Sequence, residues 1–199
     1  MHKRHRNGEN LVPYHTRRGN VRQRKRPIHT HYKDKHNVIT PAKRKVFTSL
    51  AQRPYEIGGQ MDFERGDLKN IKAYFGNEYN LEYEYDPNWE SDWHTHVDTG
   101  DNSVMPSEQD LLNAKETLER ESIIFHKNIG LSIFEHDKFQ HITKQKIKKV
   151  SDQLQEDYEL QMPDIELYKK YKPIFRKELG VDLTWYPPNK PIHLKTVSK

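Results

Sequence analysis

The sequence predicts an α/β fold in which a mixed sheet is flanked by helices, with a basic arm before it and further helices after it. Two kinds of hydrophobic pattern indicate this class, because some segments repeat apolar residues at helical spacing whereas others alternate or run continuously apolar, as strands do. Charge separates the arm from the rest: residues 1–50 carry a net charge of +12 and residues 51–199 carry −7. A chain of 199 residues is long enough for one domain with an extension.

Composition limits the chemistry and the compartment. Hydrophobic residues make up 33% of the chain and charged residues 32%, so we expect part of it to be unpacked. There is no cysteine, which excludes disulfides, cysteine-based zinc sites and a thiol nucleophile. No stretch approaches the ~18 apolar residues of a membrane span, and the N-terminus lacks an apolar signal segment. We therefore expect a soluble intracellular protein without a membrane partner, either cytoplasmic or associated with a nucleoprotein assembly.

Residues 1–38 form a basic arm that lacks apolar periodicity, so we expect it to be disordered when free. Basic runs of this kind attract nucleic acid phosphates or acidic protein surfaces. We therefore expect residues 1–37 to bind nucleic acid or an acidic protein partner, with an address signal or a solubilising tail as alternatives. The arm also contains His29-Thr30-His31, but no Ser-x-x-Asp sequence follows it.

The first ordered elements follow directly after the arm. Thr40 is a suitable N-cap and Pro41 a suitable first residue for a helix that ends before Pro54. A strand carrying Glu56 comes next. Gly58-Gly59 within it would let another backbone approach closely.

The middle of the chain predicts three strands and a helix. Residues 69–75 and 80–86 have strand patterns, and Asp86-Pro87-Asn88 turns the chain into a strand at residues 89–96. A helix follows over residues 107–120, because apolar residues recur there at helical spacing.

The last third predicts two buried strands and two amphipathic helices. The strands cover residues 122–126 and 130–135, and the helices cover residues 143–158 and 164–179. Core packing explains the apolar faces of these helices, with partner binding as the alternative. The stretch from Trp185 to the C-terminus is expected to be irregular.

Histidines at positions 94 and 96 carry the main functional signal. On a strand they point to the same face, so both imidazoles can reach one cation, and Asp110 completes a His2Asp set with a fourth position left for water. That arrangement is typical of a catalytic zinc. Each residue also has an ordinary interpretation, since the histidines could lie on a strand surface and Glu56 could be solvated. Ser107 and Asp110 also form a capping box for the helix, which is compatible with metal binding.

The order His94-x-His96, Ser107, x-x, Asp110, with Glu56 upstream in Tyr55-Glu56-Ile57-Gly58-Gly59, resembles the signature of the JAMM (MPN+, JAB-domain) metalloproteases. The resemblance covers residues 39–140. Two departures from the family pattern are present. Residues 97–106 make a ten-residue spacer where the family usually has seven, and Val97 stands where a proline commonly follows the second histidine.

This resemblance implies an MPN-like α/β sandwich over residues 39–140, whereas the helical extension and tail at 141–199 have no counterpart in it. It implies Zn²⁺ held by His94, His96 and Asp110. It further implies that Ser107 stabilises the tetrahedral intermediate and that Glu56 handles the proton of the attacking water. The function expected from it is a zinc metallo-isopeptidase or peptidase that cleaves a polypeptide substrate, such as a ubiquitin-like conjugate.

Two other classes of function stay open at this point. One is a non-catalytic MPN scaffold that its basic arm docks into a nucleoprotein assembly such as a virion, ribosome or chromatin complex. The other is a protein that mainly binds nucleic acid, although the sequence contains no recognised DNA- or RNA-binding module. Metal binding separates the enzyme from both.

Overall fold

The computed structural model describes most of the chain from residue 36 onward and two short backbone segments before it. In these parts the chain is a mixed α/β protein with one eight-stranded sheet and four α-helices. None of the helices described is long and apolar enough to cross a membrane. The described residues are 11–15, 21–25, 36–77, 81, 83–86, 88–97, 103–117 and 121–195.

Ten strands are described, eight of which form the main sheet in the order β10-β3-β5-β4-β6-β7-β8-β9. Neighbours are antiparallel except for the pairs β3/β5 and β6/β7, which are parallel. The remaining two strands, β1 and β2, pair with each other. The strands are β1 Leu11–His15, β2 Val21–Lys25, β3 His36–Ile39, β4 Ile57–Glu64, β5 Asp67–Phe75, β6 Ser91–His96, β7 Glu121–His126, β8 Ile129–Glu135, β9 Val181–Tyr186 and β10 Ile192–Lys195.

The four helices lie on both faces of the sheet, as predicted. Helix α1 packs on one face, and the other three pack on the opposite face. A 3₁₀ turn at Asp137–His141 precedes α3, and a π-helical turn at Phe175–Leu179 ends α4. The helices are α1 Pro41–Leu50, α2 Glu108–Thr117, α3 Lys144–Glu159 and α4 Asp164–Ile174.

Local capping signals set the helix starts that the sequence predicts. Thr40 accepts a hydrogen bond from the Lys43 N–H, and Pro41 occupies the first turn of α1. Thr143 caps α3 in the same way, through Lys146. The predicted β7–β8 hairpin is also present, and Lys127 turns it with a φ of 54°. The predicted Thr40 cap, the predicted start of a helix near residue 143 and the two predicted strands of the hairpin are confirmed.

The core beneath α1 is aromatic. Phe47 of α1 stacks on Phe125 with ring centroids 4.5 Å apart and meets Trp93 edge-on at 4.9 Å. The sheet curves far enough that Ile192 of β10 reaches the position of Gly130 in β8, so the sheet is nearly barrel-shaped. A Cβ placed on Gly130 would lie only 3.0 Å from Ile192.

Arg44 is a buried cation on α1 that the sequence does not reveal. The residue is 2% exposed, and its guanidinium donates hydrogen bonds to the backbone carbonyls of Asn128, Tyr186, Pro187 and Lys190. Burial lowers its pKa. Because these acceptors belong to two separate turns, Arg44 ties α1 to both the β7–β8 and the β9–β10 connections.

The prediction of a strand at residues 80–86 is wrong for the part that is described, since Leu81 and residues 83–86 have no strand structure. Both edges of β4 are already filled by β5 and β6, so this segment crosses a face of the sheet. The Gln60 side chain holds it there by bonding both the N–H and the carbonyl of Asp86, at 3.0 and 2.9 Å. Tyr83 and Tyr85, which alternate along this segment, therefore lie outside any strand pair.

The prediction that the chain is irregular from Trp185 onward is also wrong. Residues 181–186 and 192–195 form β9 and β10, which lie at the two ends of the strand order. Their partners, β8 and β3, are about 50 and 150 residues away in sequence. The segment predicted as a helical extension therefore contributes to the same sheet and core as residues 39–140.

Most of the basic arm lies outside the described residues. Its described parts are the backbone ribbon of β1 and β2 and the strand β3, whose residue Asn37 is buried in the main sheet. Disorder of the free arm stays a prediction. Any truncation that preserves the sheet must retain His36 as the first residue of β3.

Glu121 at the start of β7 predicts a pH-dependent stability. Burial raises its pKa to about 8, although hydrogen bonds from the Lys195 N–H and from Ser132 oppose the rise. The unfolded carboxyl titrates near 4.5, so folding favours the protonated form. This contribution to stability is complete below about pH 4.5 and is lost as the pH rises to about 8. We expect Glu121→Gln to stabilise the fold at pH 8.5 by roughly 2–4 kcal/mol, with little difference at pH 4.5.

Urea unfolding of parent and variant at both pH values measures this difference. Glu156→Gln, on the exposed side of α3, is the matched control and should leave the pH dependence unchanged. An identical pH dependence in parent and Glu121→Gln would show that Glu121 titrates in the fold as it does in the unfolded chain.

Candidate metal centre

The two histidines lie on β6, on the face of the sheet that α2 covers. Trp93, the residue directly before His94, points to the opposite face and into the core beneath α1. His94 is opposite Gly58 in the β4–β6 register. A Cβ on Gly58 would lie 2.7 Å from the His94 Cβ and 2.6 Å from the Trp93 carbonyl oxygen. Glycine is therefore required beside the site, which confirms the predicted close approach.

Asp110 reaches the histidines because α2 connects two parallel strands, β6 and β7. Such a crossover begins where β6 ends, so the first turn of α2 lies beside His96. The Asp110 carboxylate oxygens are 3.3 Å from His94 Nε2 and 3.3 Å from His96 Nε2. The two Nε2 atoms are 3.1 Å apart. The structure thus brings together the three residues predicted as metal ligands.

The spacing of these atoms fits one metal ion. Ligands about 2.0–2.1 Å from a tetrahedral zinc are separated by about 3.3 Å from one another. The Nε2–Nε2 separation of 3.1 Å and the two nitrogen–oxygen separations of 3.3 Å, one to Oδ1 and one to Oδ2 of Asp110, are close to that value. Two imidazoles and a carboxylate are suitable donors for zinc, and the same set also binds Fe²⁺ in other proteins. The chemistry of the donors and their spacing therefore both suit a divalent cation.

A backbone carbonyl fixes the orientation of His96. The Nδ1–H of His96 donates a hydrogen bond to the carbonyl oxygen of Ser103. Nε2 is thereby left with its lone pair directed at His94 and Asp110, as a metal ligand requires. Sequence reasoning did not identify Ser103, and no local signal could have, because a backbone carbonyl carries no residue preference.

The pKa values of His96 and Asp110 are both shifted by their neighbours in the site. Burial, the largest single influence, lowers the pKa of His96, but the hydrogen bond and charge of Asp110 outweigh it, so this pKa is raised. Burial opposes ionisation of Asp110, yet the two histidines hold its pKa well below the ordinary value. Asp110 is therefore an anion in this setting, as a ligand must be.

Ser107 and Asp110 form a reciprocal cap at the start of α2. The Asp110 N–H donates to Ser107 Oγ at 3.1 Å, and the Ser107 N–H donates to Asp110 Oδ2 at 2.8 Å. The Ser107 hydroxyl donates to the same oxygen, also at 2.8 Å. The capping interpretation is confirmed, and the cap holds the Asp110 carboxylate against both histidines. Ser107 is exposed, so its hydroxyl is accessible from outside.

Glu56 lies one residue before β4. The β4–β6 pairing places Gly58 opposite His94, and extending it by two residues places Glu56 opposite His96 on the same face. The charge of Glu56 contributes to the raised pKa of His96, so the two groups are close enough to interact. The Ile57 N–H is held by the Thr95 hydroxyl at 3.0 Å, which fixes the backbone between them.

Two parts of the sequence prediction lie outside the described residues. His29-Thr30-His31 in the arm is one of them, and residues 98–102 of the spacer before Ser107 are the other. Among the residues described, His94, His96 and Asp110 are the group that could hold a metal ion.

Comparison with known proteins leaves these residues as the basis for any assignment. No protein-family model matches the chain, and no curated protein matches it. The resemblance to the JAMM metalloproteases therefore depends on the sequence motif alone.

Proposed function

We propose that this chain is a zinc-dependent hydrolase of the JAMM type that cleaves peptide or isopeptide bonds. The observation that carries the proposal is the cluster of His94 Nε2, His96 Nε2 and the Asp110 carboxylate. His94 Nε2 is 3.3 Å from Oδ1, His96 Nε2 is 3.3 Å from Oδ2, and the two Nε2 atoms are 3.1 Å apart. Support comes from Glu56 and Ser107, because both lie beside that cluster without belonging to it.

In this proposal His94, His96 and Asp110 hold the zinc ion. When bound there, zinc would polarise a scissile carbonyl and acidify water. The protein residues supply the rest. Glu56, on the side of His96, accepts a proton from the attacking water and delivers it to the leaving amine. When substrate is bound, the exposed Ser107 hydroxyl turns its one proton from Asp110 Oδ2 to the developing oxyanion and donates a hydrogen bond to it.

The arrangement also accounts for two features that a purely structural interpretation leaves without a purpose. A helix cap needs only Ser107 and Asp110, and nothing in capping requires two histidines at the same carboxylate. A sheet position with ordinary surface histidines would not orient His96 through a backbone carbonyl. Both features are needed in a metal centre, where ligands must be oriented and deprotonated.

The direct test is metal analysis of the full chain purified without added metal. About one zinc per chain supports the proposal. A chain that takes up no divalent metal even after incubation with zinc contradicts it and favours the non-catalytic scaffold. One iron per chain would instead indicate oxygen chemistry at the same ligands.

The basic arm is proposed to bind nucleic acid through its phosphates. Its net positive charge precedes a domain of net negative charge, so attraction to a polyanion is confined to one end of the chain. We expect removal of residues 1–35, which retains β3, to abolish binding to a double-stranded DNA or single-stranded RNA oligonucleotide at low salt. If about six phosphates are neutralised, the affinity of the full chain should fall about 10³-fold between roughly 50 and 200 mM salt.

Fluorescence anisotropy at a series of salt concentrations measures both effects. The truncated chain must keep the zinc content of the parent, which shows that the sheet is intact. Binding that does not respond to salt, or that survives truncation, would leave the arm as a segment for docking onto an acidic protein.

A further inference from the structure

A cavity of about 260 Å³ opens beside the metal centre. His96 and Ser107 of the metal centre are among the residues that line it, together with others from the segment at residues 103–108 and from α3 and α4. A group bound in this cavity would therefore lie next to the proposed reaction site. The helices concerned belong to the C-terminal segment, to which the family resemblance does not extend.

Three buried apolar side chains form what we call the floor of the cavity. Met105, Leu154 and Leu167 are 3%, 7% and 0% exposed, respectively, and the polar side chains of Gln155 and Tyr158 line the cavity as well. An apolar floor of this kind stabilises a hydrophobic ligand group and penalises a buried charge that has no partner.

The cavity is also lined by Ser151, whose hydroxyl has no hydrogen-bond partner among the described residues. Ser151 of α3 lines the cavity and is 8% exposed, and its Oγ makes no hydrogen bond to any described residue. A buried hydroxyl without a partner costs free energy, on the order of 1–3 kcal/mol. A ligand group that hydrogen-bonds to Ser151 would remove that cost, so this residue indicates where a polar ligand atom belongs.

The rim of the cavity selects against anions. Glu108 and Asp152 both line it, and Lys148 lies between them, 4.0 Å from Glu108 and 2.8 Å from Asp152. Lys148 is thus already paired. A ligand carboxylate would meet two like charges at the rim, whereas a ligand ammonium would find both rim carboxylates already paired with Lys148.

Ser103, which lines the cavity, makes hydrogen bonds both to α4 and to the metal centre. Its hydroxyl donates to Asp164 at the start of α4 at 2.5 Å, and its carbonyl accepts from His96. Ser103 therefore holds the start of α4 at the cavity and also orients His96, the proposed metal ligand.

We propose that this cavity is a specificity subsite that takes one uncharged side chain of the polypeptide substrate, with an apolar body and a terminal hydrogen-bonding group, as in tyrosine. The identity of the occupant as a substrate side chain rests on the proposed hydrolase function. The site itself rests on the cavity, its apolar floor and Ser151. A tyrosine ring would contact Met105 and Leu154 while its hydroxyl bonds to Ser151 Oγ.

The test uses two small probes that differ by one hydroxyl, p-cresol and toluene, titrated into the full chain and followed by protein NMR. We expect p-cresol to bind with a dissociation constant of about 1 mM, as suits a ligand of its size. Ser151→Ala should weaken p-cresol by about 3- to 10-fold, since it removes one neutral hydrogen bond, and should change toluene by less than about twofold. Ser49→Ala, on the exposed side of α1, is the control.

Ser151→Leu should weaken binding of both probes, because its larger side chain occupies the part of the cavity beside residue 151. Failure of either probe to bind the parent chain, or equal effects of Ser151→Ala on both, would overturn the subsite. These measurements need neither zinc nor hydrolysis. A chain that binds the probes but takes up no divalent metal would contradict the proposed function alone, and a chain that hydrolyses substrate but binds neither probe would contradict the subsite alone.

Discussion

Replacing either His94 or Asp110 with alanine is expected to lower bound zinc from about one ion per chain to nearly none. Each substitution removes one of three protein ligands, and the Asp110 change also removes the anion that both histidines face. Inductively coupled plasma mass spectrometry on extensively dialysed protein measures the zinc content. Circular dichroism should confirm that both variants remain folded.

His29→Ala is the matched control, because His29 belongs to the same His-Thr-His tripeptide in the arm. It should keep about one zinc per chain. Equal loss in all three variants would place the metal elsewhere. Full retention of zinc in His94→Ala and Asp110→Ala would show that the cluster of His94, His96 and Asp110 is not a metal site.

Glu56→Gln is expected to retain zinc and to lower peptide-bond hydrolysis by about 10²- to 10⁴-fold. Glutamine preserves the shape of the side chain but cannot accept a proton, which is the function assigned to Glu56. The rate is measured on peptides and on ubiquitin-like conjugates, with zinc content determined in the same samples. Loss of zinc with activity would mean that Glu56 supports the metal rather than the proton transfer.

Two other glutamates provide matched controls for this experiment. Glu64 lies at the far end of β4, where its side chain is 61% exposed and paired with Lys69. Glu90 precedes β6 and accepts a hydrogen bond from Asn37 at 2.8 Å. Glu64→Gln and Glu90→Gln should leave both zinc and hydrolysis unchanged. If Glu56→Gln stays active while one of these loses activity, that residue is the proton acceptor.

The zinc and hydrolysis results together separate the enzyme from the scaffold. A chain that holds zinc at His94 and Asp110 but cleaves none of the substrates would have a structural metal, and the basic arm would then be its main functional feature. A chain that cleaves them only with Glu56 intact is a hydrolase. The arm experiment is independent of both, because truncation before His36 leaves the centre complete.

Features that depend on a few neighbouring residues could be predicted from the sequence. The caps Thr40 and Thr143 use bonds that span three residues, and the β7–β8 hairpin needs only one turn. The site was predictable for the same reason. His94 and His96 share a face because strand side chains alternate, and the Ser107–Asp110 cap fixes the carboxylate locally.

Features that depend on which strand edge is free could not be predicted. Residues 81 and 83–86 have a strand pattern, but β4 already has two partners. The segment at 192–195 is a strand because β3 offers it an edge about 150 residues earlier in the chain. Arg44 could not be recognised as buried, since its four acceptors are carbonyls from distant turns.

The sequence by itself determined the candidate ligands, the helix starts and the separation of a basic arm from an acidic domain, because spacing, capping and charge are properties of neighbouring residues. Only the tertiary structure decided that α2 brings Asp110 to both histidines, that the Ser103 carbonyl orients His96, and that α3 and α4 enclose a cavity around Ser151. These arrangements arise from contacts between segments far apart in the chain, which no local pattern records.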